Sequence, residues 1–203
     1  MNTGPPPAPG PSSCTRYAMP EQPGLPRHRL RLFLRDFRLV EGFAHMPDGL
    51  TLAAYLANRR GYLHLLDLRW QPSGEAAPFA VVRVAQLLYA AAADADVALV
   101  SATPAAAAHP VEMLLEGGLY ARGGILLGPR QRLSDYLESV GGFVPVTGAE
   151  LLKSGRPPRS RNVRWGDIVV NQEAIQAVWD GVPRAAPPPD PKRIARAVVD
   201  EPL

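Results

Sequence analysis

Apolar and polar residues alternate in several short stretches of the chain, and the same order of patterns occurs twice. In the first copy, Leu52, Tyr55 and Leu56 have the i, i+3, i+4 spacing of a short helix with one buried face. The alternation around this helix predicts half-buried strands. Five strands are predicted in this copy, at residues 29–34, 38–44, 62–68, 79–84 and 87–90. The unit is therefore ββαββ, closed by a short last strand.

The second copy follows the first at an offset of 81 residues, which becomes 88 after a seven-residue insertion. Tyr55 falls on Tyr136 and Gly61 on Gly142, where a glycine suits the end of a helix. Its strands are predicted at residues 110–115, 119–127, 143–147, 167–170 and 175–179. We predict an α+β, mostly β fold of two tandem ββαββ small open-barrel-like repeats, flanked by Pro-rich tails. Like a fused dimer, the repeats are expected to pack about a pseudo-twofold axis.

Composition divides the 203 residues into five segments, because fourteen of the 23 prolines lie near the two ends. Proline at this density favours extended chain. The predicted segments are a Pro-rich extended N-terminal tail at 1–28, a small β domain at 29–92, an Ala-rich linker at 93–109, a second small β domain at 110–180 and a Pro-rich C-terminal tail at 181–203.

The residues that usually carry catalysis or bind metals do not form a recognisable motif. Cys14 is the only cysteine, which excludes an intrachain disulfide and a cysteine-based zinc site. The glycine pairs lack the spacing of a phosphate-binding loop. Four histidines have no second histidine or cysteine two to four residues away: His28, His45, His64 and His109. We therefore expect no metal, no cofactor and no enzyme activity.

Hydropathy favours a location in the cytoplasm. No stretch reaches 18 apolar residues, and the first 20 residues lack the charged and apolar regions of a secretory signal. The expected location is cytoplasmic, peripheral to the inner membrane.

One candidate cluster lies at the start of the second predicted helix, where Arg132, Ser134 and Asp135 occur together. A helix start held by Ser134 and Asp135, with Arg132 paired to a nearby acid, is the structural alternative to a functional role. The first copy has Ala53 and Ala54 in place of the serine and the aspartate, so the fold does not require these residues twice. This asymmetry favours the second copy as the functional one.

The same run carries a resemblance. RLSDYLES, the aromatic-led strand from Phe143 and the later Val170-Asn171 pair resemble an uncharacterised bacterial small-β-domain family with an Arg-Leu-Ser-Asp-x-Leu run. The resemblance covers residues 111–178 and, more weakly, residues 30–90, where the Arg-x-Ser-Asp residues are missing. The family has no known activity, so the resemblance implies none.

A basic loop lies between Glu150 and Asp167, with no acid among its residues. Its cations are Lys153, Arg156, Arg159, Arg161 and Arg164. Three interpretations remain open: a solvated loop, a contact for an anionic protein or membrane surface, and a contact for nucleic-acid phosphates. The net charge of only +3 is low for a dedicated nucleic-acid-binding protein.

The leading hypothesis is a non-catalytic adaptor or scaffold subunit. Its extended tails and basic loop would dock it onto a larger protein complex, at the cytoplasmic face of a bacterial membrane complex or on an anionic membrane surface. The photosynthetic reaction centre's H subunit places a small barrel there, but this is an analogy of fold alone. The alternative is a nucleic-acid-binding small barrel, Sm-like or OB-like, that uses the basic loop at 153–164. An enzyme, resting on Asp135, is the weakest of the three.

Overall fold

The computed structural model describes residues 24–59, 61–94, 97–99, 106–153 and 163–181. The first half contains β1 (Arg27–Leu34), β2 (Leu39–His45), α1 (Leu52–Ala57), β3 (Tyr62–Gln71), β4 (Ala76–Arg83) and β5 (Leu87–Ala92). The second half contains β6 (Ala107–Leu115), β7 (Leu119–Leu127), α2 (Leu133–Ser139), β8 (Phe143–Lys153), β9 (Val163–Asn171) and β10 (Ile175–Asp180). Strands make up 58% of the structure, which confirms the mostly β class.

All ten strands belong to one antiparallel sheet, in the order β10-β6-β7-β8-β9-β5-β1-β2-β3-β4. Within each half the order is the same, with the fifth strand first and then the first to the fourth. The two halves join where β5 pairs with β9, through Tyr89 opposite Val170 and Ala90 opposite Val169. Consequently β4 and β10 are the two outer strands of the sheet.

The expectation of a pseudo-twofold axis is wrong, because the junction pairs strands that occupy different positions in their halves. A twofold axis would pair a strand with its own equivalent, or would repeat the β5·β9 contact between β4 and β10. Instead β5 pairs with β9, the fourth strand of the other half, while β4 and β10 remain at opposite ends of the sheet. The halves are therefore arranged head to tail.

Each half has its own apolar core, and the two cores lie on opposite faces of the junction strands. Along β9, Val169 enters the first core, while Ile168 and Val170 enter the second. Alternate side chains of a strand point to opposite faces of the sheet, so β9 contributes to both cores at once. The same is true of β5, whose Ala90 faces the first core and whose Ala91 faces the second.

The two helices lie at equivalent places but differ in their caps and burial. Thr51 caps α1 by accepting a hydrogen bond from the amide of Ala54 at 3.2 Å. Arg132 precedes α2 and makes no such bond. After each helix a glycine turns the chain with positive φ, +99° at Gly61 and +73° at Gly142. None of the helices among the described residues is long and apolar enough to cross a membrane.

Candidate interaction site at the junction and the free ends

Two side chains of the second half complete the core of the first half. Phe143, the first residue of β8, and Val169 of β9 are both buried in the first core, and α1 packs against β8. The same core contains the buried face of α1, whose apolar side chains are Leu52, Tyr55 and Leu56. The junction is therefore a packed interface as well as a pair of hydrogen-bonded strands.

A buried amide holds the junction in register. Asn171 lies at the end of β9, and its Nδ2 donates to the carbonyl oxygen of Leu87 at 2.9 Å. Its Oδ1 accepts from the amide of Glu173 at 3.1 Å, at the start of the turn before β10. Because the side chain is buried, each of these bonds satisfies a group that water does not reach.

Arg35 connects the halves with charges. Its guanidinium lies 2.8 Å from Glu116 Oε1 and 3.8 Å from Glu173 Oε2, and both acids belong to the second half. The arginine side chain is about a quarter exposed, so the pair with Glu116 is partly shielded from solvent. This contact favours the observed pairing of the halves.

Aromatic rings fill the second core beside the junction. Tyr89 of β5 stacks on Phe33 with centroids 5.0 Å apart, and it meets the edge of Trp165 at 5.4 Å. Burial raises the pKa of the Tyr89 phenol well above its ordinary value of 10.0, because the phenolate would lose its hydration. Trp165 is thus part of this interface and lies only two residues after the start of β9.

The free ends of the sheet carry unusual apolar exposure. Five large hydrophobic side chains are markedly exposed among the described residues: Phe37, Tyr62, Phe79, Val81 and Trp179. Phe79 and Val81 belong to β4 and Trp179 belongs to β10, the two outer strands. An unpaired edge with apolar side chains is a template for pairing with another strand.

The exposed residues of the first half match the inserted residues of the second. Tyr62 opens β3 as Phe143 opens β8, and Val81 precedes its 3-10 turn by three residues as Val169 does. Tyr62 is 57% exposed and Val81 is 48% exposed, whereas Phe143 and Val169 are buried. The same surface is therefore covered at the junction and open at the β4 end.

The receiving side shows the same contrast. In α1 the apolar face is buried beneath β8, but in α2 no residue is fully buried. The corresponding side chains Leu133, Tyr136 and Leu137 pack against the second core and are only partly buried. In the described part of the chain no neighbouring half covers α2 as β8 covers α1.

The cluster predicted at the start of α2 is only partly brought together. Ser134 Oγ donates to Asp135 Oδ1 at 3.1 Å, and both side chains are exposed. Arg132 is exposed and has no acidic partner within the residues that the structure describes, so the expected ion pair is absent there. Among the described residues, the hydroxyl of Ser134 is the group that bonds the Asp135 carboxylate.

The predicted basic loop falls largely outside the described residues. Arg156, Arg159 and Arg161 lie there, and for Lys153 and Arg164 the structure describes only the backbone. Lys153 ends β8 opposite Leu119, and the backbone of Arg164 in β9 lies opposite Glu150. The binding role assigned to these five residues therefore stays a prediction.

The histidines do not converge with other metal-binding side chains in the ranges described. His64 lies on the exposed face of β3 against Phe79, and His109 Nε2 lies 2.9 Å from Asp180 Oδ1. Across residues 24–181 with their gaps, no group of three or more His, Cys, Asp or Glu converges. A cleft of about 510 Å³ contains Glu41, but Arg29 lies 2.7 Å from that carboxylate and neutralises it.

The residues that pack across the junction could not be predicted from the sequence, for a physical reason. Phe143 and Tyr62 are both aromatic and occupy equivalent places, so aromatic character alone does not separate the covered residue from the open one. A usable signal was Asn171, a polar residue at the end of a buried apolar strand, which calls for a specific partner. The different exposure of Phe143 and Tyr62 is therefore a property of the pairing between the halves.

Comparison with known proteins gives no functional information. No family model, no curated protein and no solved structure matches the chain.

Proposed function

We propose that the chain is a non-catalytic adaptor or scaffold subunit built from two homologous small β modules, and that it docks onto a larger protein assembly through the ends of its sheet. The extended tails and the basic loop add further contacts. The place proposed for it is the cytoplasmic face of a bacterial membrane complex.

The spacing of the elements supports two homologous open-barrel-like modules. α1 begins at Leu52 and α2 at Leu133, a difference of 81 residues, and β3 and β8 begin at the same separation. Beyond the insertion, β5 and β10 begin 88 residues apart, at Leu87 and Ile175. Even the irregularity where the first strand meets the fifth recurs in both halves. Duplication of one ββαββ unit accounts for all of these agreements.

The observation that carries the docking proposal is the apolar exposure at both ends of the sheet. The exposed Tyr62 and Val81 occupy places that a neighbouring half buries at the junction. A surface already suited to a β partner, left open at the edge of a sheet, is an interaction surface by the physics of strand pairing.

The experiment is a quantitative affinity capture with the tagged full-length chain and with two matched variants. Val81→Lys places a charge on the open edge, and Ser73→Lys places the same charge in the turn before β4. Each capture is made from separated membrane and soluble fractions of the native organism and is analysed by mass spectrometry and a nucleic-acid stain.

The docking proposal expects a stoichiometric protein partner that Val81→Lys loses and Ser73→Lys retains. A partner insensitive to Val81→Lys would remove the sheet edge from the proposal. Nuclease-sensitive nucleic acid without a stoichiometric protein would instead favour the small-barrel nucleic-acid module. Its affinity should fall steeply with salt and depend on the basic loop at 153–164.

A further inference from the structure

Resting on the proposed scaffold function, we propose that the partner at the sheet ends is a second copy of this chain. The β4 edge of one copy pairs with the β10 edge of the next, so that copies join head to tail. The contact repeats between molecules the β5·β9 junction found within each molecule.

The internal junction leaves its own two complementary edges unused. It joins a fourth strand, β9, to a fifth strand, β5. The strands left at the ends are the other fourth strand, β4, and the other fifth strand, β10. Such a heterologous contact does not stop at a dimer, because each added copy presents another free edge.

The orientation of the halves also permits the repetition. β5 and β9 run antiparallel, and within each half the fourth and fifth strands point the same way. The second half is therefore reversed relative to the first, and its core lies on the other face of the sheet. The step from the first half to the second reverses the strand direction and moves the core to the other face. The same step applied to the second half adds another half at the end of the sheet and does not return to the first.

The first half already presents the side chains that would insert into the next copy. At the junction, Phe143 and Val169 enter the neighbouring core. Their equivalents Tyr62 and Val81 are exposed at the β4 end, on the strands that correspond to β8 and β9. The predicted register between molecules places Val81 opposite Val178, as Val169 lies opposite Ala90 at the junction.

The receiving side is present on the second half. α2 and β10 correspond to α1 and β5, and the apolar face of α2 is only partly buried. This face can take Tyr62 of the next copy as the covered face of α1 takes Phe143. Pro78 has no amide hydrogen to donate to a neighbouring strand. It lies outside Val81 and Val82, the two residues of β4 that correspond to the paired residues of β9, so it does not prevent the pairing.

The contact between molecules should be weaker than the junction within one. Tyr89 and Trp165 meet at the junction, whereas their equivalents are Ala177 and Ala77. The junction also forms within one chain, where the linker keeps the two partners at high effective concentration. Head-to-tail assembly is therefore reversible and depends on protein concentration.

The test mixes two blocked chains. Val81→Lys blocks the β4 edge, and Ala177→Lys blocks the β10 edge; both positions are exposed, so both variants should fold. Sedimentation velocity should show the full wild-type chain growing beyond 21.9 kDa with concentration. Each variant alone should self-associate at least about tenfold more weakly. Mixed together they should form a complex of two chains and nothing larger, because one intact edge of each kind remains.

Two controls fix the interpretation. Val81→Ile keeps the edge apolar and should assemble as the wild type does, and Ser73→Lys tests the charge alone. A wild-type chain that stays monomeric at all concentrations overturns the inference, and so do variants that fail to pair when mixed. If a different protein occupies the β4 edge, self-assembly fails but capture of that protein remains sensitive to Val81→Lys, so the docking proposal survives separately.

Discussion

Tyr62 and Phe143 begin corresponding strands in the two halves, yet Tyr62 is 57% exposed and Phe143 is 3% exposed. The difference comes from what lies next to each strand. Phe143 enters the core of the first half beside α1, while Tyr62 faces outward at the far end of the sheet. The burial of these two aromatic side chains therefore depends on the neighbouring strands and helix, and not only on the residue itself.

Truncation of these two aromatic residues should have very different effects. Phe143→Ala removes a ring from a packed core and should lower the free energy of unfolding by about 3–5 kcal/mol. Tyr62→Ala removes an exposed ring and should change it by less than about 0.5 kcal/mol in dilute protein. Urea denaturation of both variants measures the difference. Equal destabilisation would show that the junction does not bury Phe143.

The two helices should also respond unequally to a charge. Leu56 is fully buried in α1, so Leu56→Asp should cost about 4 kcal/mol or more and unfold the chain. Leu137 is only half buried in α2, so Leu137→Asp should cost about 1–2 kcal/mol and leave a folded protein. Circular dichroism with urea titration distinguishes the two. An unfolded Leu137→Asp variant would mean that α2 is covered as completely as α1.

The buried side-chain amide of Asn171 should contribute measurably to the free energy of unfolding. Asn171→Ala leaves the carbonyl of Leu87 without its donor and should lower the free energy of unfolding by about 1–3 kcal/mol. Gln176→Ala, on an exposed position of β10, is the control and should stay within about 0.5 kcal/mol of the wild type. If Asn171→Ala matched this control, the hydrogen bond would not hold the junction.

Tyr89 should make stability depend on alkaline pH. Burial raises the pKa of Tyr89, so the unfolded chain loses this proton before the folded chain does. The contribution of the neutral phenol is complete below pH about 10, the ordinary tyrosine pKa, and falls as the pH rises above it. Urea midpoints between pH 9 and pH 11 should therefore fall less steeply for Tyr89→Phe than for the wild type. Parallel curves would place Tyr89 in contact with water.

The sequence predicted the elements well because their patterns are local. Alternation located the strands, and the predicted range 119–127 coincides with β7. The cap at Thr51 is also local, because its side-chain oxygen accepts from a free amide of the first helical turn. Long-range pairing has no such local signal. The contact between β5 and β9 rests on residues about 80 positions apart in the chain, so the continuous sheet could not be predicted.

The candidate site was predicted less well for a related reason. Ser134 and Asp135 were predicted to be functional because alanines stand at the equivalent positions of the first half. On the exposed surface of α2, however, their side chains bond only each other among the described residues. The exposed apolar residues are ordinary core types in the sequence. Val81 and Val169 are both valines, and their exposure differs only because a neighbouring strand covers Val169.

The most direct test of the head-to-tail account is a cysteine pair at the predicted register between molecules. In a Cys14→Ser background, chains with Val81→Cys are mixed with chains carrying Val178→Cys, and the rate of disulfide formation is compared with that for Gln176→Cys, two residues out of register. The predicted result is a rapid mixed dimer for Val81→Cys with Val178→Cys and slower cross-linking for the out-of-register pair. Equal rates for both pairs, or homodimers formed as readily as the mixed dimer, would contradict it.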